Sequence, residues 1–566
     1  MARSPHSRGL CKPRRRVEGA PCYGAYGAAM TRPSRPQNWL ISGAGSGLLF
    51  VFAGCASMPP DVQRAEFQDP PPMERTLSQA GQKVEAAAAE KPWPNEQWWR
   101  QFGSPDLDQL MEIASQDNPG LKKAYARLNA AQGVSQVEGA RLLPWWDANN
   151  RFQTLRYAEH GVVAAYNPDL AGVTKTADFL NPLVLRYEFD FWGKNRAAFD
   201  AALGEAAAEQ AEFAHAWLVL TTAIARAYIR GVALAQQVAL AHQMVLLRRE
   251  LLQVAETRFR TGLDTDDVVK QANIDLETAN KKEAGTRALL VLHQDLLAQL
   301  IGAGPDSTQN LFTGKRVAIP AKISLPPHLP IELLAHRPDL AAAMHRAESA
   351  AQEIHVAKAQ FLPSVDMEVA TAGFEASVFT SKIGDLAKFL FRGGALNYVI
   401  APGIHLPIFE GGRLRGQLAV ARSSYDEAVD LYNETLLHAL QEVADGLINW
   451  KETGSILDSQ GRLLTSARDE VNLTSVRLRT GLNDRREILA SQNALLDQQY
   501  VLDGLAADHL FAMIDLIQAL GGGYSNGIDA SRPHLAPEAA LSGLETMTPA
   551  WGLDSLASPL LGLFQN

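Results

Sequence analysis

Arg258-Phe-Arg-Thr-Gly-Leu263 and Arg477-Leu-Arg-Thr-Gly-Leu482 are nearly the same six residues, 219 positions apart (477 − 258). Each copy lies between two long stretches of helical periodicity. Gly262 and Gly481 fall where a helix stops and the backbone needs a left-handed residue, so each copy reads as the tip of a helical hairpin. The offset holds elsewhere. A shift of 219 lays Asn118-Pro119-Gly-Leu121 on Arg337-Pro338-Asp-Leu340, Arg127 on Arg346, Leu143-Pro144 on Leu362-Pro363 and Asp147 on Asp366, and a shift of 218 lays Phe191-Trp-Gly193 on Phe409-Glu-Gly411. Anchors this far apart, in one order and with one residue of drift, mark an internal duplication.

Within the first copy, Ser104 suits a helix N-cap, Pro105 the first helical position, and Asp106 and Asp108 the first turn. The predicted helix runs to about Arg141 and stops before Pro144. From Trp146 the period becomes two. Leu183, Leu185, Tyr187, Phe189 and Phe191 share one face, and Arg186, Glu188 and Asp190 the other, which predicts a strand with an apolar and a polar side. Its partner covers about Trp146 to Tyr157. In the second copy one strand starts at Val365 and runs to about Thr371, and the return strand alternates through Leu396, Tyr398, Ile400, Pro402, Ile404, Leu406 and Ile408.

Glycine corners follow, Trp192-Gly193-Lys194 and Glu410-Gly411-Gly412. From Gly193 to Arg260 an unbroken helix would be ~100 Å long at ~1.5 Å per residue, far beyond an ordinary globular helix. In the second copy Tyr425, Val429, Tyr432, Leu436, Ala439 and Val443 alternate steps of four and three, a coiled-coil seam. Return helices run to about Ile301 and Leu520 and end at Gly302 and at Gly521-Gly522-Gly523.

The termini differ in kind from this body. Residues 1–54 carry eight Lys or Arg and one Glu; of the net charge of −9 they hold +7, leaving −16 for the rest. An acidic body argues against nucleic acid as a partner. The first 29 residues read as an upstream extension and Met30 as the start of a secretory leader, with Arg32 and Arg35 as its basic region and Trp39 to Ala53 as its apolar region. About 15 apolar residues are short of the ~20 of a spanning helix. Phe52-Ala-Gly-Cys55 resembles a bacterial lipobox, in which the cysteine is acylated and becomes the first residue; Ala56, rather than Asp, implies outward sorting by the same resemblance. The domain reading is 1–54 extension and signal peptide, 55–104 lipid tether and N-terminal segment, 105–302 first repeat, 303–336 linker, 337–523 second repeat, and 524–566 a disordered tail.

Four two-faced strands per chain suit a membrane barrel but cannot close one, since the smallest have about eight; three chains would supply twelve. The lipobox, the duplication, the Phe-Trp-Gly and Phe-Glu-Gly-Gly corners and the repeated Arg-Thr-Gly-Leu tip together resemble the TolC-type outer-membrane efflux proteins, in particular their OprM- and NodT-like lipoprotein branch, over about residues 55–523. The resemblance implies an α+β membrane protein: a homotrimeric 12-stranded β-barrel in the outer membrane, continued by a coiled-coil tunnel through the periplasm. Its tips would dock on a periplasmic adaptor protein, coupled to an inner-membrane pump of the RND type, for export of small molecules.

By the same resemblance Arg260, Gly262, Leu263, Arg479, Gly481 and Leu482 belong to the docking surface. In relatives a carboxylate about nine residues past the tip glycine narrows the closed end, but that position here is Ala490. Asp266, Asp267, Arg486 and Glu487 are the remaining gate candidates. Asp264 and Asp484 read as acids placed against helix N-termini, with Arg485 and Arg486 available to pair with carboxylates. No cofactor is implied beyond covalent lipid on Cys55. Nor is an enzyme, for there is no zinc-protease, Walker or nucleophile-elbow motif, and Gly43-Ala-Gly45-Ser-Gly47 lies in the leader. His242 and His293 read as facing solvent or partners rather than a metal. A conduit for type I protein secretion would share the fold, whereas a periplasmic coiled-coil adaptor lipoprotein would leave the two-faced strands unexplained.

Overall fold

The computed structural model describes residues 58–73, 75, 94–309, 311–312, 314, 336–378, 390 and 393–524. The leader with Met30 and Cys55, much of the tether and linker, and the tail beyond Tyr524 lie outside the described residues. The first half runs α1 (Pro105–Asp117), α2 (Pro119–Ala140), β1 (Trp145–Arg156), β2 (Thr174–Phe189), α3 (Lys194–Arg260) and α4 (Asp266–Leu300). The second runs α5 (Pro338–Ala359), β3 (Ser364–Val378), β4 (Leu396–His405), α6 (Arg413–Arg479) and α7 (Arg485–Ala519). Helices α2 and α5 both have 22 residues, α3 and α6 both 67, and α4 and α7 both 35, each second member starting 219 positions after the first.

The duplication persists to single bonds. Asn118 Nδ2 donates to the Leu300 carbonyl at 2.7 Å, and at the matching positions Arg337 Nη1 donates to the Ala519 carbonyl at 2.9 Å. Gly302 and Gly521, at φ +77° and +85°, end the return helices. Each backbone passes so close to the start of its repeat that a Cβ on Gly302 would lie 2.6 Å from the Asp117 carbonyl oxygen, and one on Gly521 would overlap that of His336. Return helix and repeat start are thereby stitched together twice by one device.

The expected single helix from Pro105 to Arg141 is two helices. Asn118 is extended (ψ 119°) and its Oδ1 accepts from the Leu121 N–H at 2.9 Å, so it caps a new helix that Pro119 begins. Because proline disfavours the helical conformation in the residue before it, the break was written in Asn118-Pro119. Ser104 caps α1 as expected and also donates to the Tyr228 hydroxyl at 2.8 Å. There Trp98, Trp99, Phe102, Leu107 and Met111 pack on Tyr228, Ile224, Leu297 and Ile514 of three long helices. The start of the linker joins them: Phe312 is buried with its ring 5.8 Å from that of Tyr228, and Gly231 leaves the space, since any Cβ would overlap that ring.

Helices α3, α5, α6 and α7 meet along alanine-rich lines. Ala201, Ala208, Ala211, Ala342 and Ala347 are buried, and a Cβ on Gly204 would sit 3.1 Å from Ser349 Cβ, so small residues set the close approach. The predicted seam is the buried face of α6 from Val429 on: Val429, Leu436, Ala439 and Val443 are fully buried and Tyr432 nearly so, while Tyr425 is half-buried. Each large apolar side chain buried there contributes roughly 1.5–3 kcal/mol. The apolar composition of α3 has the same cause, since 72% of its most apolar stretch is buried among its neighbours.

The four strands form one antiparallel sheet in the order β1-β2-β3-β4. Register places Phe189 opposite Val365 and Val365 opposite Ile404, and aligns Leu183, Ala372 and Tyr398, so the apolar rows of both hairpins coincide. On the other face Arg186 pairs with Asp147 at 3.7 Å and Lys194 with Glu188 at 2.5 Å. Strands β2 and β3 reach further than the expected Leu183 and Thr371. Their extensions, Thr174–Asn181 and Ala372–Val378, mix small and polar residues with a few apolar ones, and beside the backbone ladder Leu180 and Phe374 pack with Ala376 and Leu390. Gly373 permits the pairing, because a Cβ would overlap the Leu180 carbonyl. In one chain β1 and β4 remain edges.

Residues 58–73, expected as part of a free tether, lie along α6. Asp61 pairs with Arg422 at 2.5 Å and Lys358 at 2.9 Å, and Arg64 with Asp426 at 2.9 Å. Asn433 accepts from the Gln68 N–H and donates to the Glu66 carbonyl, while Phe67 meets Tyr432 edge-on at 5.1 Å. Such a strap needs no hydrophobic period, because backbone groups and alternating charges hold it.

Candidate functional site: the paired hairpin tips

Both tips close by the same hydrogen bonds. The Leu263 N–H donates to the Arg258 carbonyl at 2.8 Å and Gly262 to Phe259 at 2.9 Å; Leu482 donates to Arg477 at 2.8 Å and Gly481 to Leu478 at 3.1 Å. With Gly262 and Gly481 both at φ +74°, each is a left-handed helix stop in which the last carbonyls are satisfied. Thr261 and Thr480 reinforce it, their hydroxyls donating to the Thr257 and Arg258 carbonyls and to those of Val476 and Arg477. The following leucines do not pack beneath the turn: Leu263 is 65% and Leu482 76% exposed. Arg260 and Arg479 are exposed beside them.

The charged residues below the tips divide into two sets. Asp264 does not cap α4. It accepts from Arg258 Nε at 2.7 Å and Nη2 at 3.2 Å across the turn, and hydrogen bonding to that guanidinium holds its carboxyl below the usual carboxylate range. Asp484 does cap α7, accepting from the Arg486 and Glu487 N–H groups, and the Arg486 guanidinium at 2.7 Å lowers its pKa. Arg486 also reaches Asp264 at 3.3 Å, and Arg485 reaches Glu250 at 2.6 Å. These last two pairs tie the second hairpin to the first.

Of the gate candidates, only Arg486 stands in that junction. Asp266 pairs with Lys270 at 2.7 Å on the exposed first turn of α4. Asp267 and Glu487 are exposed, as is Ala490. Glu250 was missed; it lies 235 residues from Arg485, and no local pattern in α3 distinguishes it. His242 faces Glu283 at 3.2 Å and His293 the Leu289 carbonyl at 3.0 Å. Among the described residues no group of three or more His, Cys, Asp or Glu is placed to hold a metal.

Comparison with known proteins agrees with this architecture. The outer membrane efflux protein family matches residues 110–303 and 329–522, one segment in each repeat. The chain is 28% identical over 486 residues to the fusaric acid resistance protein FusA of Burkholderia cepacia, covering 85% of this chain and 87% of that one. It is 30% identical over 471 residues to the pyoverdine export outer membrane protein OpmQ of Pseudomonas putida, covering 80% and 94%. Among solved structures, the outer membrane protein VceC of Vibrio cholerae matches with a TM-score of 0.66 and 32% identity, over 76% of this chain and all of that one. With both repeats matched and near-complete relatives covered, the chain belongs to the outer membrane efflux protein family.

Proposed function

We propose that three copies of this outer-membrane efflux channel close one twelve-stranded barrel, and that the tunnel below it receives small molecules from a periplasmic adaptor and an RND-type inner-membrane pump. The sheet spans the outer membrane of a Gram-negative cell and the helices extend into the periplasm. The observation that carries the reading is the open four-stranded sheet with coincident apolar rows, standing on helices of 67 residues that end in two exposed tips. Unpaired edges in lipid would cost several kcal/mol per backbone group, on the order of 4–8 kcal/mol in a fully apolar medium, so β1 of one chain must pair with β4 of another.

In this reading the tips carry adaptor contact through Arg260, Gly262, Leu263, Arg479, Gly481 and Leu482. The Arg485–Glu250 and Arg486–Asp264 pairs keep the two hairpins of a protomer together and the tunnel end narrow, in place of a carboxylate ring at Ala490. Small-molecule cargo is favoured over protein by the fusaric acid and pyoverdine relatives. The covalent lipid belongs on Cys55. Its attachment fits the strap, which descends along α6 from near the sheet, Asp61 meeting Arg422 and Gln68 meeting Asn433.

One purification from native membranes tests these points together. The tagged full chain should co-purify with an adaptor and a pump, and mass spectrometry should find its N-terminal peptide beginning at an acylated Cys55. Absence of both partners under gentle extraction would count against the tripartite reading, and an unmodified Cys55 or another N-terminus against the anchor.

A further inference from the structure

The two tips share one backbone but not one charge. Over residues 258–270 three cations (Arg258, Arg260, Lys270) balance three anions (Asp264, Asp266, Asp267). Over the matching 477–489, four arginines (Arg477, Arg479, Arg485, Arg486) face only Asp484 and Glu487. The structure shows where the excess goes. Arg258 is neutralised across the turn by Asp264 at 2.7 Å. Its counterpart Arg477 finds Asn483 in the place of that aspartate, and Asn483 offers only a backbone N–H to the Arg477 carbonyl at 3.3 Å. Arg485 and Arg486 are held by Glu250, Asp264 and Asp484. Arg477 and Arg479 remain exposed, and among the described residues neither has a carboxylate partner. Leu482, whose N–H bonds the Arg477 carbonyl in the same turn, is 76% exposed.

Resting on the docking role given to the tips, we propose that the second tip is an anion-selective seat. Its partner is a helical hairpin that presents acidic residues on either side of an apolar recess for Leu482, while the first tip, with Arg258 neutralised and Arg260 alone left without a carboxylate partner among the described residues, makes a more apolar contact through Leu263. The adaptor therefore meets two chemically different sites per chain, and its acidic face fixes which one it prefers. Charge complementarity at an exposed interface acts mainly on specificity and encounter rate, and is screened by salt.

The probes are two synthetic helical hairpins, with tips Glu-Leu-Glu and Lys-Leu-Lys, titrated against the full-length channel purified in detergent. The acidic probe should bind about tenfold more tightly than the basic one at low salt and lose that advantage at high salt. Arg477→Glu with Arg479→Glu should abolish the preference. Asn483→Asp, which restores the ion pair found in the first tip, should cut acidic-probe affinity about threefold, within the range of an exposed pair. Arg260→Glu should do less than Arg479→Glu. Equal binding of the two probes, no binding of the acidic one, or a preference that survives these substitutions would overturn the inference. Docking itself is read separately, by adaptor crosslinking in cells with the tip glycines replaced: loss of crosslinks there with no probe preference rejects only the charge selectivity.

Discussion

Gly262→Val combined with Gly481→Val should leave trimer yield and outer-membrane location unchanged while abolishing adaptor crosslinking and export. The backbone at both glycines is left-handed, φ +74°, where a β-branched residue is strained by roughly 1–2 kcal/mol. Nothing lies within 4 Å of a Cβ at either position, so no packing is lost and the strain stays local. It is small beside the stability of long helices packed along their length. The turn must nonetheless shift, and Leu263 and Leu482 shift with it. At a small interface that displaces most contacts at once. The readouts are heat-resistant trimer on gels, cysteine crosslinking to the adaptor, and efflux of a fluorescent substrate. Normal export by the double variant would show that the tips are turns only.

Gly521→Ala should do the opposite, removing folded channel from the outer membrane although alanine is the smaller change. Gly521 is as left-handed as the tip glycines, φ +85°, but its added Cβ would overlap the His336 carbonyl oxygen. That carbonyl cannot withdraw easily. The next residue, Arg337, is buried and holds Asp339 at 2.6 Å, Glu442 at 2.8 Å and the Ala519 carbonyl at 2.9 Å, and His336 itself bonds the Tyr524 carbonyl at 3.0 Å. Backbone strain and forced overlap together should cost roughly 2–5 kcal/mol per chain, repeated three times in the trimer. Trimer yield in membranes, measured beside Gly262→Ala as the matched control, checks it: a full yield of Gly521→Ala channel would mean that the stitch between α7 and α5 is dispensable.

These contrasting glycines show what the sequence conveyed and what it withheld. Both classes announced themselves as helix stops, and the 219-residue offset predicted that the helices of the two repeats match, as their equal lengths show. The offset could not show that Gly302 and Gly521 lie against a carbonyl, because the neighbours at Asp117 and His336 are some 185 residues earlier in the chain. The Asn118 break was legible from its following proline but was outweighed by continuous helical periodicity on either side. The far ends of β2 and β3 were silent, since small and polar residues interrupt the alternation there and the packing of Leu180 and Phe374 with Leu390 shows only in three dimensions. The strap along α6 was misread as free chain because polar anchoring leaves no hydrophobic period. At the tips the residues proposed to dock were visible as a repeat, whereas the ties from Arg485 to Glu250 and Arg486 to Asp264 join residues more than 200 positions apart and show only in three dimensions.

The channel reading requires several chains to share one barrel. Native mass spectrometry of the channel released from mild detergent, paired with circular dichroism of the same sample, tests that most directly. Three chains per particle with the full strand content are expected, and no folded monomer at any dilution that preserves the sheet. A monodisperse single chain retaining all of its β-structure would contradict the account, because its edge strands β1 and β4 would then be satisfied without a partner.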